Sequence, residues 1–252
     1  MTSWLQVPRA KKGEPAPRPL FFQAANTSYT ADFLGYFYAK LFASRADKEL
    51  NVYDTAISPG YSLIKNSFEH ERVNFVDSIP PSSISLSGQQ NRLLEFLVSL
   101  KADDFHKGAE EFLQWNASIT NTIQETIQAN DLAGPFDFGV HLVRNVPVSL
   151  YISALKQGKV SSIFVLADTP DLLSEFRRRA EKSWNIVDIP LITGRPTGRT
   201  GLQTYTNFVS NLYILQRVPK VISVLSSPVG KFLFLTNRAA FQSLDTNTFT
   251  FF

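Results

Sequence analysis

The stretch FDFGVHLVRNVPVSLYISALKQ (residues 136–157) reads as an apolar strand that ends on His141 and Arg144 and then passes into a helix. A strand covered on both faces has no packing reason to finish on an imidazole and a guanidinium, since burying either without a partner is costly. The chain beyond repeats the alternation. VSSIFVLAD (160–168) is apolar almost throughout, and TPDLLSEFRRRAEKS (169–183) is a helix with Thr169 as its cap and Pro170 in its first turn. WNIVDI (184–189) is a short strand, residues 202–216 a helix, KVISVL (220–225) a strand, and SPVGKFLFLTNRA (227–239) opens another helix. Apolar strands alternating with helices predict a parallel sheet covered on both sides.

Upstream the same layout appears. PLFFQAA (19–25) reads as a buried strand, and TADFLGYFYAKLFASR (30–45) places Phe33, Leu34, Phe37, Leu41 and Phe42 at helical spacing, with Thr30 or Ser28 as cap. ELNVYD (49–54) closes a β-α-β unit whose strands are expected to be parallel. RVNFVD (72–77) gives a third strand, SIPPSSISLSG (78–88) a loop, and residues 89–100 and 109–129 two helices. NDLAGP (130–135) is the expected boundary. These readings predict an α/β chain of two Rossmann-like domains facing a cleft: residues 20–134, then 135–252, after a flexible basic arm at 1–19 that contains RAKKGEPAPRP.

The 252 residues, 44% hydrophobic and 13% aromatic with 21 Phe, supply ample core. A net charge of +3 implies no strong field, so nucleic acid is not the expected partner. Cysteine is absent, which excludes disulfides, thiolate nucleophiles and Cys-based metal sites. No signal-like h-region and no run of 18 apolar residues occurs, so the expected location is cytoplasmic, without a transmembrane segment. There the sequons at Asn26 and Asn116 meet no glycosylation machinery.

In doubly wound sheets ligands bind beyond the carboxyl ends of strands. The polar residues there are His141 and Arg144, then Asp168, then TGRPTGRTG (193–201) with Arg195 and Arg199, then Ser226 and Ser227. The two serines lead straight into a helix start, an anion-binding arrangement suited to phosphate. Each has a plain structural reading beside this one. Asp168 is equally a strand-end turn residue, Ser226 and Ser227 a helix cap, His141 a satisfied core histidine, and the glycine loop a solvated connection with neither Walker nor GxGxxG spacing. The coincidence of three such sites at one sheet edge favours function.

The order FGVHLVR, then IFVLAD with TPDLL, then a helix and VLSSPVGKFLFL resembles the three motifs of the fucosyltransferase superfamily that includes the α1,6-fucosyltransferases, the rhizobial chitin-oligosaccharide fucosyltransferases and the protein O-fucosyltransferases. Those read approximately as GVHxRRxDK, a strand ending in ATDDP, and a strand followed by SSxVxR. The resemblance spans residues 136–235 and agrees in order and spacing. It implies a divergent, compact GT-B glycosyltransferase: inverting, metal-independent, moving a sugar, fucose or another deoxysugar, from a GDP-linked donor to a glycan acceptor. The nucleotide sugar is then a co-substrate, and no cofactor is expected. Residues 20–134 become the acceptor side and 135–252 the donor side.

Carried over by position, the resemblance puts His141 near the nucleotide, Arg144 at the diphosphate as the catalytic cation, Asp168 at the edge of the donor pocket, and Ser226 with Ser227 on phosphate oxygens. Lys231 stands where many members have arginine, and Asn211 where the α1,6 enzymes have an aspartate that reads guanine. Ungapped, the first arginine of the family pair becomes Val143, the next acid Val146 and the lysine Pro147; with one residue inserted, Arg144 takes the first position instead. These departures keep an alternative open, a degenerate relative that binds a nucleotide sugar or glycan without turnover. ADDF at Asp103 and Asp104 is expected in a helix-linking region and not as a metal-binding DxD; Asp32 and Asp54 are the carboxylates that could serve as base in the first half.

Overall fold

The computed structural model describes residues 20–24, 28–54, 56–58, 61–78, 84–85, 100–132, 134–191, 199–237 and 241–245. The chain divides into two compact units, Met1–Ala56 with Tyr61–Gln114 and Ile57–Gly60 with Trp115–Phe252.

In the first unit, Leu20–Gln23 (β1) leads to Tyr29–Arg45 (α1), which Ser28 caps by accepting from the Ala31 N–H at 3.2 Å. Leu50–Tyr53 (β2) follows, then a short strand at Ala56–Ser58 (β3), of which only Ala56 counts with this unit, then Tyr61–Ser62 (β4), Val73–Phe75 (β5), Ile84–Ser85 (β6) and a helix at Ala102–Phe112 (α2). The sheet order is β5-β2-β1-β6, with every pairing parallel. Phe21, Phe33, Phe37, Leu50, Val52 and Phe105 are fully buried between its layers.

The second unit holds Ala117–Ala129 (α3), Phe138–Leu142 (β7), Val148–Leu155 (α4), Ser162–Ala167 (β8), Pro170–Arg179 (α5), Asn185–Val187 (β9), Arg199–Leu215 (α6), Val221–Ser223 (β10), Pro228–Thr236 (α7) and Phe241–Ser243 (β11). Its sheet is parallel in the order β11-β10-β7-β8-β9. From β7 the chain winds outward through β8 and β9, then returns to the other side of β7 for β10 and β11. The strand order therefore reverses between β7 and β10, the point at which doubly wound sheets open a crevice at their carboxyl ends.

Strand alternation assigns the faces of this sheet. Phe138, Val140 and Leu142 of β7 and Ile222 of β10 join Tyr151, Ile152 and Phe176 of the covering helices in one core. Gly139 and His141 point to the opposite face. A side chain at Gly139 would come within 2.6 Å of Leu215 and 2.7 Å of Val218, so glycine is what lets the end of α6 close on the strand. His141 takes the next position on that face, one residue short of the strand end.

Both units are Rossmann-like, the GT-B architecture that the sequence predicts. Several element readings change. The helix expected at 109–129 is two helices, because the Asn116 side chain accepts from the Ile119 N–H at 3.0 Å and starts α3 afresh. Asp103 and Asp104 lie in the first turn of α2, not in a linking region, and Asp104 accepts from the Lys101 N–H at the helix start. The stretch 78–88, read as loop, contains β6, which β1 recruits by pairing through Leu20 and Phe21. The chain passes from one unit to the other between Gln114 and Trp115, ahead of α3, whereas the expected boundary follows that helix. The helix expected at 89–100 and residues 1–19 lie outside the described residues, apart from the backbone at Leu100.

Candidate functional site

The carboxyl end of β7 is held from both sides. His141, 1% exposed, directs Nδ1 to the Ser223 hydroxyl on β10 at 2.9 Å and Nε2 to Asp168 Oδ1, just past β8, at 3.2 Å. A carboxylate only accepts, so Nε2 carries the proton, and a neutral ring then accepts at Nδ1 from the Ser223 O–H. Asp168 uses its other oxygen to accept the Arg144 backbone N–H at 3.1 Å. Val143, between them, donates its N–H to the Tyr151 hydroxyl at 3.1 Å. Three strands and one helix thereby fix the turn that presents Arg144. This resolves the question that the strand raises: its histidine is fully partnered, and its arginine side chain is exposed.

Burial pushes the Asp168 carboxyl upward, but the hydrogen bond from His141, with the Arg144 N–H and guanidinium, outweighs it and holds the group below the usual carboxylate range. The Tyr151 phenol is pushed up to about 12 by burial and by the nearby carboxylates of Asp168 and Asp245.

At the end of β10, the loop into α7 is also tied down. Ser227 caps α7, its hydroxyl accepting from the Gly230 N–H at 2.8 Å. The Leu225 and Ser226 N–H groups donate to Asp245 Oδ1 and Oδ2 at 3.0 and 2.8 Å. The cap reading of Ser227 is therefore realised, and one of the helix-start N–H groups, that of Gly230, is already engaged. Lys231 lies four residues beyond Ser227 on the same side of α7, and burial lowers its ammonium pKa.

Asn211 sits apart from this edge. It is fully buried in α6, where Nδ2 donates to the carbonyls of Ile189 at 3.1 Å and Asn207 at 2.8 Å, while Oδ1 is buried without a partner. It thus anchors the segment after β9. Ile189 lines a cavity of about 100 Å³ with Leu166, Asp168, Thr169, Leu173 and Asp188 at the ends of β8 and β9. Arg144 lines another, of about 300 Å³, with Asn145, Pro147, Leu172, Glu175 and Arg179. Arg199 opens α6, and Arg195 lies outside the described residues.

The structure brings His141, Arg144 and Asp168 into one bonded group, with Ser226, Ser227 and Lys231 at the end of the adjoining strand β10. The sequence reading missed Ser223, Tyr151 and Asp245. Ser223 had a signal, since it follows Ile222, which pairs with Val140 in register, and so comes level with His141. Asp245 had none, because its partners stand about twenty residues away, across a three-residue strand. In the first unit, Asp54 accepts from the Ile64 and Lys65 N–H groups at 2.9 and 2.7 Å, a strand-terminating role, and Asp32 is buried in the first turn of α1. Among the described residues no cluster of three His, Asp or Glu is placed to hold a metal ion, and no helix is long and apolar enough to cross a membrane.

No protein-family model matches the chain, and no curated protein matches it in sequence. Solved structures match it in fold. The fucosyltransferase NodZ from Bradyrhizobium gives a TM-score of 0.60 at 12% identity, covering 91% of this chain and 97% of that one. NodZ α-1,6-fucosyltransferase soaked with GDP-fucose gives 0.57 at 12% identity over 87% and 93% of the two chains. POFUT1 in its apo form gives 0.52 at 12% identity over 92% and 99%. The chain therefore has a GT-B fold that resembles the NodZ and POFUT fucosyltransferase group.

Proposed function

We propose that this chain is a glycosyltransferase that moves a sugar, fucose or another deoxysugar, from a GDP-linked donor to a glycan acceptor, with inversion and without a metal ion. One observation carries the reading: the three motif segments converge on the carboxyl ends of β7, β8 and β10, where the sheet order reverses, in a chain whose fold is that of known fucosyltransferases. The first unit then serves the acceptor and the second unit the donor.

In an inverting displacement the acceptor hydroxyl oxygen bonds to the anomeric carbon as the bond to the diphosphate oxygen breaks. The acceptor proton leaves to a base or to solvent. Negative charge grows on the departing phosphate, and a guanidinium held at that point stabilises it more in the transition state than in the bound donor. Arg144 supplies that cation from a braced turn. His141 and Asp168 hold the turn and the mouth of the donor pocket, and Ser226, Ser227 and Lys231 complete the phosphate side; Asn211, where the resemblance implies a base reader, is instead buried with its amide donating to the Ile189 and Asn207 carbonyls. An amide committed to backbone carbonyls does not offer guanine the two acceptors of a carboxylate, so GDP, UDP and dTDP donors are all to be compared.

The test is a thermal-shift panel of nucleotides and nucleotide sugars. A ligand at 100 times its dissociation constant stabilises by roughly 2.7 kcal/mol. A rise with GDP or GDP-fucose that Arg144→Ala abolishes, together with sugar transfer or donor hydrolysis, supports the proposal; no rise with any nucleotide overturns it. Val143 and Val146, which replace charged motif residues, favour the second reading, a binding protein without turnover. Donor binding without hydrolysis or transfer selects it.

A further inference from the structure

Asp245 lies two residues past β11 and carries no motif. Its carboxylate accepts the two consecutive N–H groups of Leu225 and Ser226, one on each oxygen, at 3.0 and 2.8 Å. The Ser243 hydroxyl donates to the same group. The relation repeats that of Asp168, which stands just past β8 and reaches sideways to the Arg144 N–H in the loop after β7. The two loops that meet where the strand order reverses, β7–α4 and β10–α7, are thus each held by a carboxylate from the next strand outward. Charge-assisted hydrogen bonds of this kind are stronger than neutral ones. In the β10–α7 loop the carboxylate replaces backbone partners that the end of a three-residue strand does not supply.

We infer that Asp245 is a positioning residue for the phosphate side of the site: by taking the Leu225 and Ser226 N–H groups, it sets the conformation in which Ser226 and the capped start of α7 meet a ligand diphosphate. This rests on the nucleotide-sugar reading for the ligand but not for the brace. The carboxylate itself does not contact the diphosphate, since its oxygens already carry the loop N–H groups and a hydroxyl, and two anions side by side repel.

The experiment compares the full chain with its Asp245→Ala variant, with and without added formate, by amide hydrogen exchange and by GDP titration. Loss of the two bonds is expected to speed exchange at Leu225 and Ser226 by about tenfold or more while Val221 and Ile222 stay protected. GDP affinity is expected to fall by about the same factor. Formate, a free carboxylate, restores both, which a general loss of stability does not allow. Unchanged exchange at Leu225 and Ser226 overturns the brace. Altered exchange with unchanged GDP affinity overturns the positioning role. A parent chain that binds no GDP or other nucleotide overturns the nucleotide-sugar reading and the diphosphate role with it, and is recognised because the parent itself fails.

Discussion

The imidazole of His141 stands between Ser223 and Asp168, and its Nε2 meets Asp168 Oδ1 at 3.2 Å at the point where β7 gives way to the turn carrying Arg144. The ring is buried and the Asp168 carboxylate is not, so the bond joins the core of the sheet to its exposed carboxyl edge. Removing the ring leaves a void and deprives the Ser223 hydroxyl of its partner in a fully buried position. His141→Ala is expected to cost about 3 kcal/mol of stability by urea denaturation. A cost under about 0.5 kcal/mol shows that the ring is not a structural link.

Acid should loosen the same edge. The folded-state pKa of Asp168 lies below the ordinary value, because His141 and Arg144 outweigh burial; that of Asp245 does too, with burial opposed by Ser243, Leu225 and Ser226. For a depressed carboxylate the unfolded chain binds more protons, so the stabilisation is complete above the unfolded pKa of about 4 and is lost as pH falls through the folded value. The Asp168→Asn, Asp245→Asn double variant is therefore expected to be less stable than the parent at pH 7, with the gap narrowing below about pH 4. A gap that widens on acidification contradicts the sign of both shifts.

Why the second unit was more legible than the first follows from where its hydrogen bonds go. β7 and β8 are apolar apart from His141 and Ser162 and are five and six residues long, so composition marks them, and their order with α5 and α7 suffices for the topology. β6 and β11 have two and three residues and exist because a neighbour pairs with them, information that no local window holds. The same division applies to the site. His141 lies in a longer readable strand and Arg144 and Asp168 just past such strands, whereas Asp245 acquires its role only when β11 lies beside β10.

Gly230 sits in the first turn of α7, where a Cβ would fall 1.8 Å from the Val224 carbonyl oxygen and 2.8 Å from its carbon. Backbone cannot yield as a side chain can, so Gly230→Ala must push α7 off the end of β10 and break the Ser227 cap. We expect a loss of about 3 kcal/mol and weakened nucleotide binding together. Gly134→Ala is the control, as nothing lies within 4 Å of the added carbon, and its effect should stay within about 0.5 kcal/mol. Equal melting temperatures for the two variants dispose of the close approach as the reason for glycine at 230.

Arg144 contributes its backbone N–H to the brace, and its side chain is exposed. Substituting the side chain therefore separates chemistry from stability. Arg144→Lys keeps the charge but replaces a planar fork by a point donor, so the paired bonds to a phosphate that the proposed function requires are lost. Donor turnover measured as kcat/KM is expected to fall by about tenfold to a hundredfold, equivalent to about 1.4 to 2.8 kcal/mol of transition-state stabilisation, with the melting temperature unchanged. Arg144→Ala should fall further, because the cation goes as well. If lysine supports full turnover, only charge is needed there and the bidentate role fails; if alanine does too, the leaving diphosphate is stabilised from elsewhere, and Lys231 becomes the residue to change next.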